Sequence, residues 1–417
     1  MAVVRAFKAI RPTEALASQV AALPYDVMNS EEARQMVVGN PHSFLHVDKA
    51  EIDLDPAIDL YDTRVYEKAR DNLNDMIAQG VFVQDDRPCL YIYKQVMNGR
   101  AQIGIVACTA VDDYRNNVIK KHELTRADKE QDRINHVDYC DANTGPIFLT
   151  YRAQSQIDSV VAEVMESKAP IYDFVSEDGI GHTVWVMEDA AQIQTICETF
   201  GGIESLYIAD GHHRSASAVR VGLKRREANP SYDGSEEFNY FLSVIFPDNQ
   251  LYIMDYNRIV KDLNGNTEEE FLGKISEKFT VTPYAGSGAL KPEKKHTYGM
   301  YLGGRWLLLE AKPGTYDEKD PVAQLDVSIL QNNLLSPILG IGDPRTDKRI
   351  DFVGGIRGLQ TLADRVDSGA MAVAFSMYPT TMDDLMDIAD AGAIMPPKST
   401  WFEPKLRSGL FIHKLSE

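Results

Sequence analysis

The sequence predicts an α+β protein in two lobes, built from mixed, largely antiparallel sheets with flanking helices. Three observations carry this. Apolar β-rich runs and amphipathic segments follow one another along the whole of the 417 residues. Two hairpin signals stand out: Asn98-Gly99 between "CLYIYKQVM" and "RAQIGIVACTAV", and Gly303-Gly304 between "KHTYGMYL" and "RWLLLEA". Such pairs favour the tight turns that join antiparallel strands. Finally, the chain has no GxxxxGK[ST], no GxGxxG after a strand, no GxSxG and no HExxH. P-loop, Rossmann, α/β-hydrolase and zincin architectures therefore have no motif support. At about 150 residues per domain the length suggests two or three domains. A change of style divides the chain into an N-terminal lobe, 1–261, and a C-terminal lobe, 262–417.

Taken in order, "AFKAIRP" reads as a short strand and turn. Pro24 and Asp26 mark a loop. Asn29 or Ser30 caps a short helix that opens with Glu31 and Glu32, and Gly39, Asn40 and Pro41 end it. "SFLHV" reads as a strand. Tyr61, Val65, Ala69, Leu73, Met76 and Ile77 give a helix closed by Gly80. After the Asn98-Gly99 hairpin, "RADKEQDRINHVDYCDA" is helical, "GPIFLTY" a strand and 155–167 an amphipathic helix. "HTVWVME" is a strand, "AAQIQTICETF" a helix and "IESLYIAD" a strand that runs into a helix starting near His212 or His213. "EFNYFLSVIFP" and "LYIMDYNRIV" read as strands around an Asp248-Asn249 turn. In the C-terminal lobe, Asn266 or Thr267 caps a helix over "EEEFLGKISEKF". "VAQLDVSILQNNLLSPIL" is helical and "MAVAFSMYP" a strand. "DPRTDKRIDFVGG", with Arg345, Asp347 and Asp351, reads as a polar loop, and "MPPKSTWFEPKLRSGLFI", with Lys398, Lys405 and Arg407, as an ordered loop.

Hydrophobic residues make up 44% of the chain, and 43 basic against 62 acidic residues leave a formal charge of −19. That balance repels nucleic-acid phosphates and anionic membranes, so neither is an expected partner. No stretch approaches the roughly 20 apolar residues of a membrane helix. Cys89, Cys108, Cys140 and Cys197 form no CxxC pair and read as reduced thiols. The N-terminus, "MAVVRAFKAIRP", has no cleavage-like segment. A cytoplasmic protein is the expectation, and a homodimer is left open.

The stretch richest in chemistry is "YIADGHHRSASAVR", Tyr207 to Arg220. A strand delivers Asp210-Gly211 to a helix start, where unpaired N–H groups and the positive dipole end favour an anion. Gly211 permits close approach to the backbone, and Arg214 offers a planar fork for phosphate oxygens. Asp210 as a plain helix cap is the competing reading. A metal held by His212 and His213 together is disfavoured, because adjacent side chains point about 100° apart on a helix. "VIKKHELTRADKEQDR" places Glu123 just past an apolar strand, where a carboxylate can serve as general base. Residues 127–133 read by themselves as a solvated, salt-bridged helix. "DANTGPIFLTY" puts Asn143 and Thr144 in a turn before a strand.

"PYDVMNSEEARQMVVGNPHSFLHV", "KKHELT", "ANTGPIFLTY", "YIADGHHRSASA" and "MPPKSTWFEPKLRSGLFI" together resemble, in this order, the bacterial and archaeal family known as domain of unknown function 1015. The resemblance runs over about residues 3–415. That family is similar to the free serine kinases of the ParB/sulfiredoxin-like superfamily, which convert L-serine to O-phosphoserine with ATP or ADP and Mg²⁺. The resemblance therefore implies a ParB/sulfiredoxin-like nucleotide-binding core with extra N- and C-terminal elements. It implies phosphoryl transfer to a free amino acid, with nucleotide and amino acid as partners. Gly211, His212, His213, Arg214 and Ser215 become the nucleotide-binding set. Glu123, His213 and Asp210 become catalytic, with Asp210 also toward Mg²⁺. Glu31 and Glu32 are rivals to Glu123 as base. Lys120, Lys121, His122, Arg126, Asn143 and Thr144 are candidates to hold the substrate. The alternative is a ParB-like switch that binds or hydrolyses nucleotide without a small-molecule acceptor.

Overall fold

The computed structural model describes residues 1–416, which form two units: Met1–Leu251 with 404–416, and Tyr252–Glu403. The first unit thus ends between Leu251 and Tyr252, ahead of residue 262, and takes back the tail that the sequence reading assigned to the C-terminal lobe. The class is α+β, with a large mixed sheet, a six-stranded antiparallel sheet and two two-stranded antiparallel pairs, His413–Lys414 with Ala142–Asn143 and Ile10–Pro12 with Phe82–Gln84.

The first unit holds a nine-stranded sheet. Its path runs Ile119–Lys120, Leu206–Asp210, Ile147–Tyr151, Tyr240–Pro247, Arg100–Ala110, Leu90–Met97, Gly181–Met187 and Tyr172–Val175, with Val4–Arg5 paired to Arg100–Ala110. Two neighbour pairs are parallel: Ile119–Lys120 with Leu206–Asp210, and Ile147–Tyr151 with Tyr240–Pro247. The remaining pairs are antiparallel. Leu90, Ile92, Ile105, Ile147, Leu149, Ile208 and Ile245 form its core with Ile157, Val164, Ile196 and Phe200 of helices Ser155–Ser167 and Ala190–Gly202. A second cluster gathers Phe44, Leu45 and Phe82 on Val65, Ala69 and Leu73 of helix Thr63–Ala78.

The second unit has a six-stranded antiparallel sheet in the order Phe279–Pro283, Arg305–Ala311, Thr297–Leu302, Val373–Met377, Tyr256–Val260, Ile350–Gly354.

Local signals explain most elements. Asn98 and Gly99 sit at φ 52° and 77°, and Gly303 and Gly304 at 55° and 77°, as the hairpin turns require. Asn29 with Glu32, and Thr267 with Glu270, complete capping boxes. Three expectations fail. "SFLHV" contains a helical turn, Leu45–Asp48, opened by Ser43 Oγ accepting from the Leu45 N–H; its apolar run is too short to carry a period. Asp248–Asn249 does not join a hairpin. Asp248 accepts from the N–H groups of Asn249 and Ala153, and Tyr256–Val260 pairs instead with Ile350–Gly354 and Val373–Met377. The polar loop "DPRTDKRIDFVGG" ends in the strand Ile350–Gly354, because pairing to Tyr256–Val260 satisfies its backbone. The four cysteines are free thiols, three of them buried. Among the described residues no helix is long and apolar enough to cross a membrane.

Candidate active site

Sheet topology brings three separate sequence motifs to one end of the larger sheet. Tyr207 pairs with Lys120 in parallel, so the residues after Lys120 and those after Asp210 leave the sheet in the same direction. Ile147–Tyr151 runs antiparallel to Leu206–Asp210, so the turn before Ile147 lies at that same end. "KHELT", "NTGP" and "DGHHR" thereby become neighbours.

Gly211 adopts φ 91° and is the N-cap of the 17-residue helix His212–Ala228. A Cβ on Gly211 would stand 3.2 Å from Arg214 Nε, so the guanidinium folds back over the glycine. Arg214 Nη1 donates to the Pro146 carbonyl at 2.5 Å, and its Nη2 lies 3.9 Å from Asp210 Oδ2. The close approach allowed by Gly211 is thus used by the chain's own arginine. Asp210 is not a helix cap. Its Oδ1 accepts from the Gly211 N–H at 2.9 Å, and its Oδ2 accepts from Lys405 Nζ at 3.2 Å. Burial raises the Asp210 pKa, but Lys405 and Arg214 outweigh it and hold the carboxyl well below the usual range.

The two motif histidines diverge. His213 Nε2 accepts from the Arg126 N–H at 3.1 Å, which places the ring proton on Nδ1. Burial lowers its pKa against the opposing charge of Asp26. His212 turns the other way. Its ring meets that of His122 edge-on at 4.5 Å between centroids, and its Nδ1 lies 3.7 Å from Glu123 Oε2. Burial, and then His122, push His212 well below its ordinary value. Burial takes His122 to about 4, opposed by Asp210 and the Ile208 carbonyl. Both imidazoles are therefore neutral at pH 7. His122 makes no hydrogen bond of normal geometry at either ring nitrogen, and His212 Nε2 makes none.

Other expected site residues are placed as follows. Lys121 Nζ sits 4.0 Å over the Tyr114 ring, and burial lowers its pKa. Lys120 Nζ lies 6.0 Å over the Tyr207 ring. Arg126 precedes helix Ala127–Cys140, and its guanidinium pairs with Asp128 on the surface. Asn143 Oδ1 accepts from the Leu242 N–H and lies 3.1 Å from His413 Nδ1, bracing strand His413–Lys414. Ser215 is fully buried and spends its hydroxyl on the Gly211 carbonyl. Glu32 is occupied in its capping box, and Glu31 pairs loosely with Arg34 at 4.0 Å.

Beneath Arg214 lies a small cavity whose lining includes Tyr25, Asp48, Arg133, His136, Thr144 and Gly145. Thr144 Oγ1 donates to Asp48 at 2.9 Å and accepts from His136 Nε2 at 3.0 Å. Arg133 is buried over the Tyr25 ring at 4.0 Å, so residues 127–133 are not the wholly solvated face expected. Burial pushes the Tyr25 hydroxyl up to about 12. Sequence reading missed Tyr25, Asp48 and His136 as site residues. The one available signal was the i, i+3 spacing of Arg133 and His136, which puts both on one helix face.

No curated protein matches the chain. Among solved structures, a free serine kinase in complex with AMP is 14% identical, with 74% of this chain and 91% of that chain covered and a TM-score of 0.37. A conserved hypothetical protein from Pyrococcus furiosus is 14% identical, over 74% and 94%, at a TM-score of 0.35. SbnI from Staphylococcus aureus is 10% identical, over 72% and 82%, at 0.36. The family model described as "Protein of unknown function (DUF1015)" matches residues 4–328, and the chain belongs to that family.

Proposed function

We propose that this protein is a nucleotide-dependent phosphotransferase that acts on a free amino acid, with L-serine as the first acceptor to test, on a ParB/sulfiredoxin-type core. One observation carries the reading: the helix start at Gly211, Arg214, Lys405 and the carboxylate Glu123 converge at one sheet end of a chain whose net charge is −19. Phosphoryl transfer needs charge neutralised on the phosphates and an oriented nucleophile. The helix N-terminus and the two cations supply the first. Glu123, beside the neutral His212, is positioned to accept the acceptor's hydroxyl proton. Arg133, buried in the lining of the Thr144 cavity, suits an acceptor's carboxylate.

Mg²⁺ prefers oxygen ligands and retains water. Around the motif Asp210 is engaged by Lys405 and Arg214, and the ion-sized cluster found among the described residues contains two imidazoles. Mg²⁺ therefore belongs with the nucleotide phosphates rather than with a protein cage. In the assay, protein, Mg²⁺, L-serine and ADP or ATP are mixed and phosphoserine is followed by phosphorus NMR. Product is expected, and loss of a general base in Glu123→Gln should slow it by about 10²–10⁴-fold. Tight nucleotide binding with no phosphorylated product from any amino acid would overturn the reading. Nucleotide hydrolysis without an acceptor, with a change of oligomeric state, would then favour the switch.

A further inference from the structure

We propose that His122, Glu123 and His212 form a binding site for one divalent transition-metal ion, of the Mn²⁺, Fe²⁺, Co²⁺ or Zn²⁺ kind. One ligand atom from each residue lies within 4.8 Å of the others. The parallel pairing of Ile119–Lys120 with Leu206–Asp210 explains the meeting: it sets the segment 121–123 beside 208–212.

A second observation points to a ligand. His122 is 1% exposed and His212 5%; the His122 ring leans on the Ile208 carbonyl at one nitrogen, which leaves its other nitrogen and His212 Nε2 buried without a hydrogen bond. Buried polar atoms are ordinarily paired, and orphaned ones call for an explanation such as an ion. Neutral imidazole is the form that ligates a metal. Two imidazoles and one carboxylate match the donor set of mononuclear transition-metal sites and not the all-oxygen shell of Mg²⁺ or Ca²⁺. Donors around an ion at about 2.0–2.2 Å stand roughly 3–3.6 Å apart. The cluster must contract by about 1 Å from its widest separation, and the Glu123 side chain, 52% exposed, has room to swing inward. The neighbouring Lys121 ammonium is held over the Tyr114 ring. His213, bonded to the Arg126 N–H, lies outside the set.

This site stands on its donors and does not rest on the phosphotransfer reading; with the ion bound Glu123 is a ligand and no longer a free base, so the two readings compete for it and the test omits nucleotide and acceptor. The full chain is stripped with a chelator and titrated with Co²⁺, and the visible absorption of the bound ion is followed. One Co²⁺ per chain is expected, displaced by equimolar Zn²⁺ and retained against a hundredfold excess of Mg²⁺. Glu123→Gln, at a half-exposed position, should keep the melting profile and weaken Co²⁺ binding at least tenfold. Absence of stoichiometric uptake by the unmodified chain would overturn the proposal. So would displacement by equimolar Mg²⁺, or equal affinity in a folded Glu123→Gln variant.

Discussion

At φ 91° Gly211 occupies the left-handed region, and a side chain there would press on the Arg214 guanidinium at 3.2–3.3 Å. Both effects oppose Gly211→Ala. The backbone strain alone amounts to about 1–2 kcal/mol. The variant should unfold at lower denaturant and bind nucleotide more weakly, because Arg214 loses its seat. Unchanged stability and affinity would show that the turn tolerates a Cβ. The buried pair of His136 and Asp48, 3.6 Å apart, gives a pH signature. Burial lowers His136, but Cys140 and Asp48 raise it further, to about 9. Burial raises Asp48, but His136 holds it below its usual value. A raised histidine pKa stabilises fully below the unfolded value of about 6.5 and loses that contribution as pH climbs through about 9. Melting temperatures should therefore fall from pH 6.5 to 9 more steeply in the unmodified chain than in His136→Gln, and parallel curves would contradict the charged pair. The motif residues were legible because turn, helix start and arginine are adjacent in sequence. Tyr25, Asp48 and His136 were not, because their partners lie far along the chain and meet only through the fold.

Elements were legible where one local signal decides them. The two hairpins and the helices capped by Asn29 and Thr267 follow from turn and cap chemistry. "SFLHV" was not, since a short apolar run fits a strand or a buried helical turn, and only packing against Val65, Ala69 and Leu73 settles it. The same contest between propensity and packing separates two helical glycines. Alanine gains about 0.8–1 kcal/mol over glycine in a helix interior. At Gly273, in helix Glu268–Lys278, a Cβ meets nothing within 4 Å, and Gly273→Ala should be stabilising by about that amount. At Gly222, in helix His212–Ala228, a Cβ would lie 2.5 Å from the Phe238 carbonyl oxygen and 3.1 Å from Val111 Cγ2. Backbone must shift there, at a cost of about 1–3 kcal/mol, so Gly222→Ala should destabilise. Denaturant midpoints of the two variants should move in opposite directions, and a shared direction would contradict this reading.

At the scale of the whole molecule, the α+β class was legible, while the path of the chain was not. The tail returns to the first unit: Ile412 pairs with Ile10, His413 with Asn143, and Arg407 binds Asp178. No local signal announces such long-range pairing. Its consequence is functional, because the tail carries Lys405 to Asp210. An acidic chain thereby concentrates Arg214, Lys405 and a helix N-terminus at one point, and that convergence underlies the whole functional account. Calorimetric titration of the full chain with ADP and Mg²⁺ tests it most directly, alongside Arg214→Ala and Lys405→Ala. The account predicts one ADP per chain, with affinity at least tenfold weaker in each variant while folding is retained. Absence of ADP binding, or undiminished affinity in both folded variants, would contradict it.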